Sequence, residues 1–189
     1  LDLIEINFDT ESLIASYTAT ISIDDGEKVT EFFVQATVPP LDIYRLLDDP
    51  LRSKTYGIQR DGIYSGSIVA FDPVQESLTT CITVGESPSD FVINDDSTEL
   101  LVINSVGKTI DVIDLETFSI KESINLPSYS AWGDAGDTTA NIGLGPDNII
   151  YYTDGSWGPV LHVLKRSTNE VLQSITFDGT SVSNDTGFM

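Results

Sequence analysis

The chain has 189 residues, enough for one or two domains with a buried core. Its 30 Asp and Glu residues against 9 Lys and Arg residues give a formal net charge of -21 at pH 7. A surface with this charge repels phosphate backbones and anionic lipid headgroups, so we expect no nucleic-acid partner. No apolar run approaches the ~18 to 20 residues that span a bilayer, and we expect no membrane span in this chain.

Cysteine and histidine are too scarce for most catalytic or metal-binding motifs. The chain has one of each, Cys81 and His162, so an intrachain disulfide cannot form and Ser–His or Cys–His relays have almost no candidate residues. Cys81 lies in a strand-like run, where we expect a buried and inert thiol. The sequence also lacks the loops that cradle phosphates and the elbow that exposes a serine nucleophile. We therefore predict that the chain is not an enzyme.

The first 38 residues follow a strand and turn pattern. Apolar residues alternate most strictly at 17–23, and we predict three strands separated by polar turns at 9–12 and 24–26. Pro39 and Pro40 then end the unit as a linker, because neither can donate a hydrogen bond to a sheet ladder. Three strands give one sheet face rather than a closed sandwich.

A group of residues in this segment is typical of one class of module. The group consists of Asp9-Thr10, Leu13, Tyr17, Ala19, Ile21 and Ile23, with the exit Val38-Pro39-Pro40. It resembles the C-terminal part of immunoglobulin-like modules, BACON-type among them, which precede catalytic or binding domains in bacterial surface proteins. Those modules usually have Gly just ahead of the Tyr, where this chain has Ala15-Ser16. A full sandwich needs ~100 residues, so the resemblance implies that residues 1–38 are only the C-terminal part of a module.

The rest of the chain is built from a repeat whose clearest copy covers residues 109–124. Moving back 42 positions pairs Ile110 with Ile68, and moving forward 51 positions pairs it with Leu161. Each copy also has a polar turn followed by a very apolar strand, at 55–58, 100–103 and 149–152. A recurrence of about 40 to 50 residues with several short strands per copy is the signature of propeller blades.

The third strand of the clearest copy carries apolar side chains on both of its alternating faces. Ile110 and Val112 lie on one face and Ile113 on the other, as a blade between two neighbouring blades requires. We therefore predict an all-β fold with three four-stranded antiparallel propeller blades at about 41–85, 86–127 and 128–179, after the short Ig-like β segment. Residues 180–189 would start a further strand or form a tail. Propellers close with about 4 to 8 blades, so the ring would be completed by other residues or by another copy.

The second copy carries the most specific motifs of the chain. They are Pro88-Ser89-Asp90, Asn94-Asp95-Asp96, Val102-Ile103-Asn104-Ser105, Gly107 and Val112-Ile113-Asp114. These runs resemble the YVTN-type, or surface-layer, seven-bladed propeller repeats, and the likeness covers roughly residues 41–179. The third copy departs from the pattern, with Lys165 where Asp72 and Asp114 stand.

Unusual residues collect on the loops at one end of the predicted blades. In an antiparallel four-stranded blade, the incoming loop and the loop between the second and third strands lie at the same end. The incoming loop of the third copy is nine residues longer than that of the second, the difference between the repeat spacings of 51 and 42. The candidate ligand-binding residues on these loops are Tyr64, Tyr129, Trp132, Asp134, Asp137, Asp154 and Trp157. Aromatic rings beside carboxylates suit a glycan or a peptide; alternatively, Trp132 and Trp157 pack on each other to pin the long loop.

The remaining candidates have simpler interpretations. His162 lies in a predicted third strand and is expected to be a partly buried structural residue. We expect no cofactor, with calcium as the one candidate ion, because acidic turns recur in every copy but no EF-hand spacing is present. Solvated turns explain these acidic residues more simply.

Three functions are compatible with this sequence. The leading one is a non-catalytic binding or structural module of an exported bacterial protein, extracellular or on the cell surface, that contacts a glycan, a protein or other copies of itself. The second is a subunit of an extracellular filament or layer assembled through open sheet edges. The third is a calcium-dependent hydrolase or lactonase-like propeller enzyme.

Overall fold

A computed structural model of the protein describes residues 17–24, 29–36, 42–60, 65–75, 77–127, 129, 140–154 and 160–176. The first two of these ranges form an antiparallel hairpin of β1 (Tyr17–Asp24) and β2 (Val29–Ala36). Both strands were predicted from the alternating pattern, whereas the strand predicted ahead of them lies outside the described residues. Across the described ranges, no helix is long and apolar enough to cross a membrane.

Three four-stranded sheets follow, each formed from consecutive strands. The first blade contains β3 (Ile43–Asp49), β4 (Lys54–Arg60), β5 (Gly66–Asp72) and β6 (Ser77–Thr83). The second contains β7 (Pro88–Ile93), β8 (Glu99–Asn104), β9 (Thr109–Asp114) and β10 (Ser119–Asn125). The third contains β11 (Ile142–Gly145), β12 (Ile149–Thr153), β13 (Val160–Lys165) and β14 (Glu170–Thr176).

Within each blade, every strand pairs antiparallel with the next one along the chain. A single 3-10 turn, Pro146–Asn148, interrupts the β structure of the described residues. The predicted all-β class with three four-stranded antiparallel blades is therefore confirmed.

The second blade is buried on both faces. On one face, Leu101, Ile103, Ile110 and Val112 pack against Ile150, Tyr152 and Leu164 of the third blade. On the other face, Leu100, Val102 and Ile113 pack against Tyr56, Ile58, Ile68 and Ala70 of the first blade. The predicted division of Ile110 and Val112 from Ile113 is confirmed, because these residues belong to two separate apolar clusters.

Aspartates that repeat 42 positions apart form the turns between the third and fourth strands. In the first blade, Asp72 Oδ1 accepts the N–H groups of Val74 at 2.8 Å and Gln75 at 3.0 Å. In the second, Asp114 Oδ1 accepts the N–H groups of the equivalent two residues at 3.0 and 2.8 Å. Side-chain acceptors of this kind fix a turn locally. The third blade has Lys165 at this position, and its turn is closed by backbone bonds alone, from Thr168 N–H to the Lys165 carbonyl at 3.3 Å.

Cys81 corrects one expectation from the sequence. The residue lies in β6, in the strand predicted for it, but its thiol is exposed rather than buried. The reason is its place in the blade, because β6 is the fourth strand and pairs with β5 on one side only. Alternating apolar residues in an outer strand therefore do not guarantee burial on either face.

We expect the two-sided core of the second blade to dominate the free energy of unfolding. Ile110→Ala deletes a fully buried side chain between the second and third blades and should cost about 2 to 5 kcal/mol. Leu51→Ala is the matched control, because Leu51 is 75% exposed in the turn after β3 and its loss should cost less than about 0.5 kcal/mol. Urea unfolding of both variants measures the difference, and equal costs would contradict the packing described here.

Candidate functional site

Two of the seven predicted binding residues, Tyr129 and Asp154, lie in the described part of the chain. Tyr64, Trp132, Asp134, Asp137 and Trp157 lie outside it, so their role in binding stays a prediction. Tyr129 precedes the third blade and Asp154 directly follows β12. The structure brings both into the surroundings of Tyr152.

Tyr129 packs inside the molecule rather than standing on the loop surface. It is 7% exposed, and its ring stacks on that of Tyr152 with centroids 6.4 Å apart and an interplanar angle of 23°. Tyr152 in turn stacks on His162 at 4.8 Å and donates its hydroxyl to the Pro127 carbonyl at 2.9 Å. In this structure Tyr129 belongs to the apolar cluster between the second and third blades.

Asp154 closes the base of the loop between β12 and β13. Its Oδ1 accepts the Val160 N–H at 3.0 Å, and its own N–H donates to the Val160 carbonyl at 3.2 Å. Its Oδ2 lies 3.8 Å from His162 Nε2, and both side chains are buried. Burial first, and the Asp154 charge second, raise the pKa of Tyr152 to about 12. The Tyr152 phenol therefore stays protonated well above neutral pH, which preserves the hydrogen bond that it donates to the Pro127 carbonyl.

His162 occupies a position that repeats in all three blades. Its Nδ1 lies 2.9 Å from Ser174 Oγ on the paired strand β14. The same cross-strand pair is Asp111 with Ser123 in the second blade and Val69 with Cys81 in the first. Because the Asp111–Ser123 pair is also hydrogen-bonded, we interpret the position as a side-chain link between the third and fourth strands in the second and third blades, whereas the valine of the first blade cannot form one. His162 is 3% exposed, which makes it a more deeply buried structural residue than the sequence predicted.

Asp111 anchors a buried polar network at the start of the second blade. It accepts hydrogen bonds from the Gly85 N–H at 2.7 Å, from Asn104 Nδ2 at 2.9 Å and from the Ser123 hydroxyl. Gly85 is required here, because a Cβ at this position would lie 2.6 Å from Asn104 Nδ2. The network thus fixes the segment that leads from the first blade into the second.

Ser89 and Asp90 link the blades, a role that the sequence did not predict although their motif, Pro88-Ser89-Asp90, stood out. Asp90 accepts the Ile142 N–H of β11 at 3.0 Å and forms an ion pair with Arg45 of β3 at 2.8 Å. Ser89 donates its hydroxyl to the Ala140 carbonyl at 2.9 Å. One carboxylate therefore joins all three blades at their first strands. Burial raises the pKa of Asp90, and the bonds from Ile142 and Arg45 oppose that shift.

A second polar link joins the second and third blades near the opposite end of the strands. Arg166, in the turn after β13, forms ion pairs with Glu99 of β8 and, at 2.9 Å, with Glu122 of β10. Lys121 adds an ion pair to Glu99 at 2.7 Å. The hydrogen bond from Arg166 is the main cause that lowers the pKa of Glu99, and burial opposes it. The Glu99 carboxylate is thus held ionised as the centre of a clamp between blades.

The described residues do not offer a metal centre. Within them, no group of three or more His, Cys, Asp or Glu side chains is placed to hold a metal ion. The calcium suggested by the acidic turns therefore has no donor set in the described ranges, and the acidic residues Asp134 and Asp137 lie outside them. What the described polar residues do is connect strands and blades.

The Glu99 clamp predicts a defined loss of stability in acid. Because the folded pKa of Glu99 is lower than its value of 4.5 in an unfolded chain, the stabilisation is present above pH 4.5 and is lost as the pH falls through the lowered value. We expect Glu99→Gln to be less stable than the parent at pH 7, with the difference shrinking towards about pH 3.

Urea unfolding at several pH values measures this effect, with Glu86→Gln as the control. Glu86 is an exposed glutamate at the far end of the second blade, and its exchange should leave the pH profile unchanged. A constant difference between Glu99→Gln and the parent at every pH would contradict the clamp.

Comparisons with known proteins identify the architecture. No protein-family model matches the chain, and no curated protein sequence matches it. Among solved structures, it is similar to apo AztD from Citrobacter koseri, with 19% identity, a TM-score of 0.56, and coverage of 85% of this chain and 43% of that one. It is also similar to hydrazine synthase from Kuenenia stuttgartiensis, with 18% identity, a TM-score of 0.56, and coverage of 74% and 37%.

A third similar structure is a WD40 domain, that of Toxoplasma gondii coronin, with 11% identity, a TM-score of 0.57, and coverage of 78% of this chain and 37% of that one. WD40 repeats form the blades of β-propellers. Identities this low show the fold alone. The chain spans about two fifths of the length of these structures, and its three sheets are β-propeller-like blades.

Proposed function

We propose that this chain is a non-catalytic binding and structural module that supplies three blades to a larger ring. The observation that carries the proposal is the forward face of the third blade, by which we mean the face that a following blade would cover. In the first two blades this face is closed. The side chains that point to this face are at most 1% exposed there. They are Tyr56 and its cross-strand partner Ala70 in the first blade, and Leu101 and its cross-strand partner Val112 in the second.

The equivalent residues of the third blade are uncovered. Tyr151 pairs with Val163 in the same register and is 37% exposed. Val163 is only partly buried, and Leu172 and Ile175 on the adjacent β14 are 52% and 36% exposed. A sheet with apolar residues on both faces is stable when another sheet covers it. The length of the similar propellers supports further blades as that cover, from additional residues or from another copy of the chain.

The non-catalytic part of the proposal is supported by the use of the buried polar groups. Asp90, Asp111 and Glu99 all bond to neighbouring strands or blades. Groups that are saturated by structural partners are poorly placed to act as acids, bases or nucleophiles.

We further propose that the module belongs to an exported bacterial cell-surface protein and contacts a glycan, a protein or other copies of itself. The acidic composition, the single cysteine and the YVTN-type motifs support this location. Cell fractionation of the source bacterium is the direct test, and recovery of the protein in the cytoplasm would contradict the proposal.

For the contact itself, Trp157 on the loop end is the residue to change. If the Trp157 ring serves binding, Trp157→Ala should lose binding to cell-wall glycans or surface protein extracts while the melting temperature stays within about 2 °C, because a ring that is kept accessible to a partner adds little to a core. A fall in melting temperature that corresponds to about 3 to 5 kcal/mol would instead show that the ring is structural.

The uncovered forward face predicts self-association of the chain in isolation. We expect sedimentation velocity to show oligomers that grow with concentration, because a solvent-exposed apolar sheet face associates. Tyr151→Lys places a charge on this face and should shift the distribution towards the monomer. The matched control is Val74→Lys, which makes a similar exchange at a turn residue that is 82% exposed.

The outcomes separate the alternatives clearly. A parent chain that stays monomeric at every concentration would contradict an uncovered docking face. An equal effect of Tyr151→Lys and Val74→Lys would show that added positive charge, rather than the forward face, controls association in this acidic protein.

A further inference from the structure

A cleft opens between the second and third blades at the end opposite the incoming loops. Its walls are the turn from β7 to β8, at residues 94–98, and the turn from β11 to β12, at residues 145–148. Leu144 and Pro146 form its accessible apolar part, the buried Leu101 and Ile150 lie beneath them, and its volume is about 260 Å³. The sequence reasoning placed binding at the other end of the blades, so this cleft is separate from the predicted site.

The rim of the cleft carries negative charge that the protein itself leaves unneutralised. Asp95, Asp96 and Asp147 line it. Asp96 is engaged in its own turn, where it accepts the Thr98 hydroxyl at 2.6 Å. The carboxylates of Asp95 and Asp147 are exposed, stand on opposite walls, and bond to no other residue in the ranges that the structure describes.

Arg166 also lines the cleft but does not neutralise this rim. Its guanidinium is occupied by Glu99 and Glu122. The two glutamates cancel its charge, so an approaching ligand meets the aspartates of the rim. The same ion pairs hold the two walls at a fixed separation, because they join the second blade to the third.

The two walls are also fixed locally, before any ligand is present. On one wall, Asn94 Oδ1 accepts the N–H groups of Thr98 and Glu99, both at 2.9 Å. On the other, Asp147 and Asn148 close a tight turn with φ values of 59° and 60°. A cleft whose walls are already ordered loses little conformational freedom when it binds a partner.

We propose that this cleft binds a lysine or arginine side chain on an extended segment of a partner protein. A basic side chain has an aliphatic stem that can pack on Leu144 and Pro146 while its charged end reaches Asp95 and Asp147. The volume lies below the ~300 to 1,000 Å³ of pockets that hold drug-sized ligands, so it suits one side chain better than a whole cofactor. An anionic ligand would be repelled by the rim and by the net charge of -21.

The cleft is formed whether or not the ring closes and whether or not the loop end makes the contact proposed above. Its walls are two complete turns at the junction of two blades that are both present. A failure of either earlier proposal would leave it standing.

Fluorescence polarisation with the full chain tests the proposal. The probe is a fluorescein-labelled nonapeptide with three lysines among alanines and glycines, and its partner peptide has glutamine in place of each lysine. The cleft variant is Asp95→Asn with Asp147→Asn. The control variant is Asp42→Asn with Glu86→Gln, which removes the same two charges from exposed residues at the opposite end.

We expect the parent to bind the lysine peptide and not the glutamine peptide, with about tenfold weaker binding in the cleft variant and less than about a twofold change in the control. All three proteins should have the same melting temperature, because the exchanged carboxylates are exposed. Equal weakening of both variants would overturn the proposal, since it would trace the attraction to the diffuse charge of the whole surface. Absence of lysine-peptide binding up to about 1 mM protein would overturn it as well.

Discussion

The burial of both faces of the second blade is the constraint on which the rest of the structure depends. Full burial of one Ile, Leu or Val side chain contributes about 1.5 to 3 kcal/mol, and β8 and β9 supply such residues to the first and third blades at once. Alternation along a strand sends adjacent residues to opposite faces. A slip of one residue in register would therefore exchange the two clusters, so the blades are held in one alignment.

That alignment brings polar groups of different blades together. With the apolar faces packed against each other, polar groups that are buried at the strand ends need hydrogen-bond partners, and the neighbouring blades supply them for Asp90 and Glu99. Asp90 meets this need at the first strands, where it bonds to Ile142 and Arg45. Glu99 meets it at the other end through Arg166. The cleft lies beside this second link, so its width follows from the same blade spacing that the core imposes.

The sequence was sufficient for the strands and their faces because those depend on local order. Alternation predicted which side Ile110 and Ile113 take, and the recurrence of 42 and 51 positions predicted three blades. The sequence did not predict contacts between residues that lie far apart along the chain. The bond from Asp90 to Ile142 joins residues 52 positions apart, and the burial of Tyr129 depends on Tyr152 of the next blade. Cys81 is exposed because β6 is the outer strand of its sheet. A local sequence pattern does not record whether a strand has a neighbour on both sides.

Native-state hydrogen exchange followed by NMR tests the central claim most directly. If the second blade is the common core of all three, the amides of Leu101 and Val112 should exchange only through global unfolding, while those of β14 should open with a much lower free energy. The free energy of opening should therefore be higher in the second blade than in the third blade of the same molecule. Equal protection in β9 and β14, or a first blade that stays protected after the second has opened, would contradict this account.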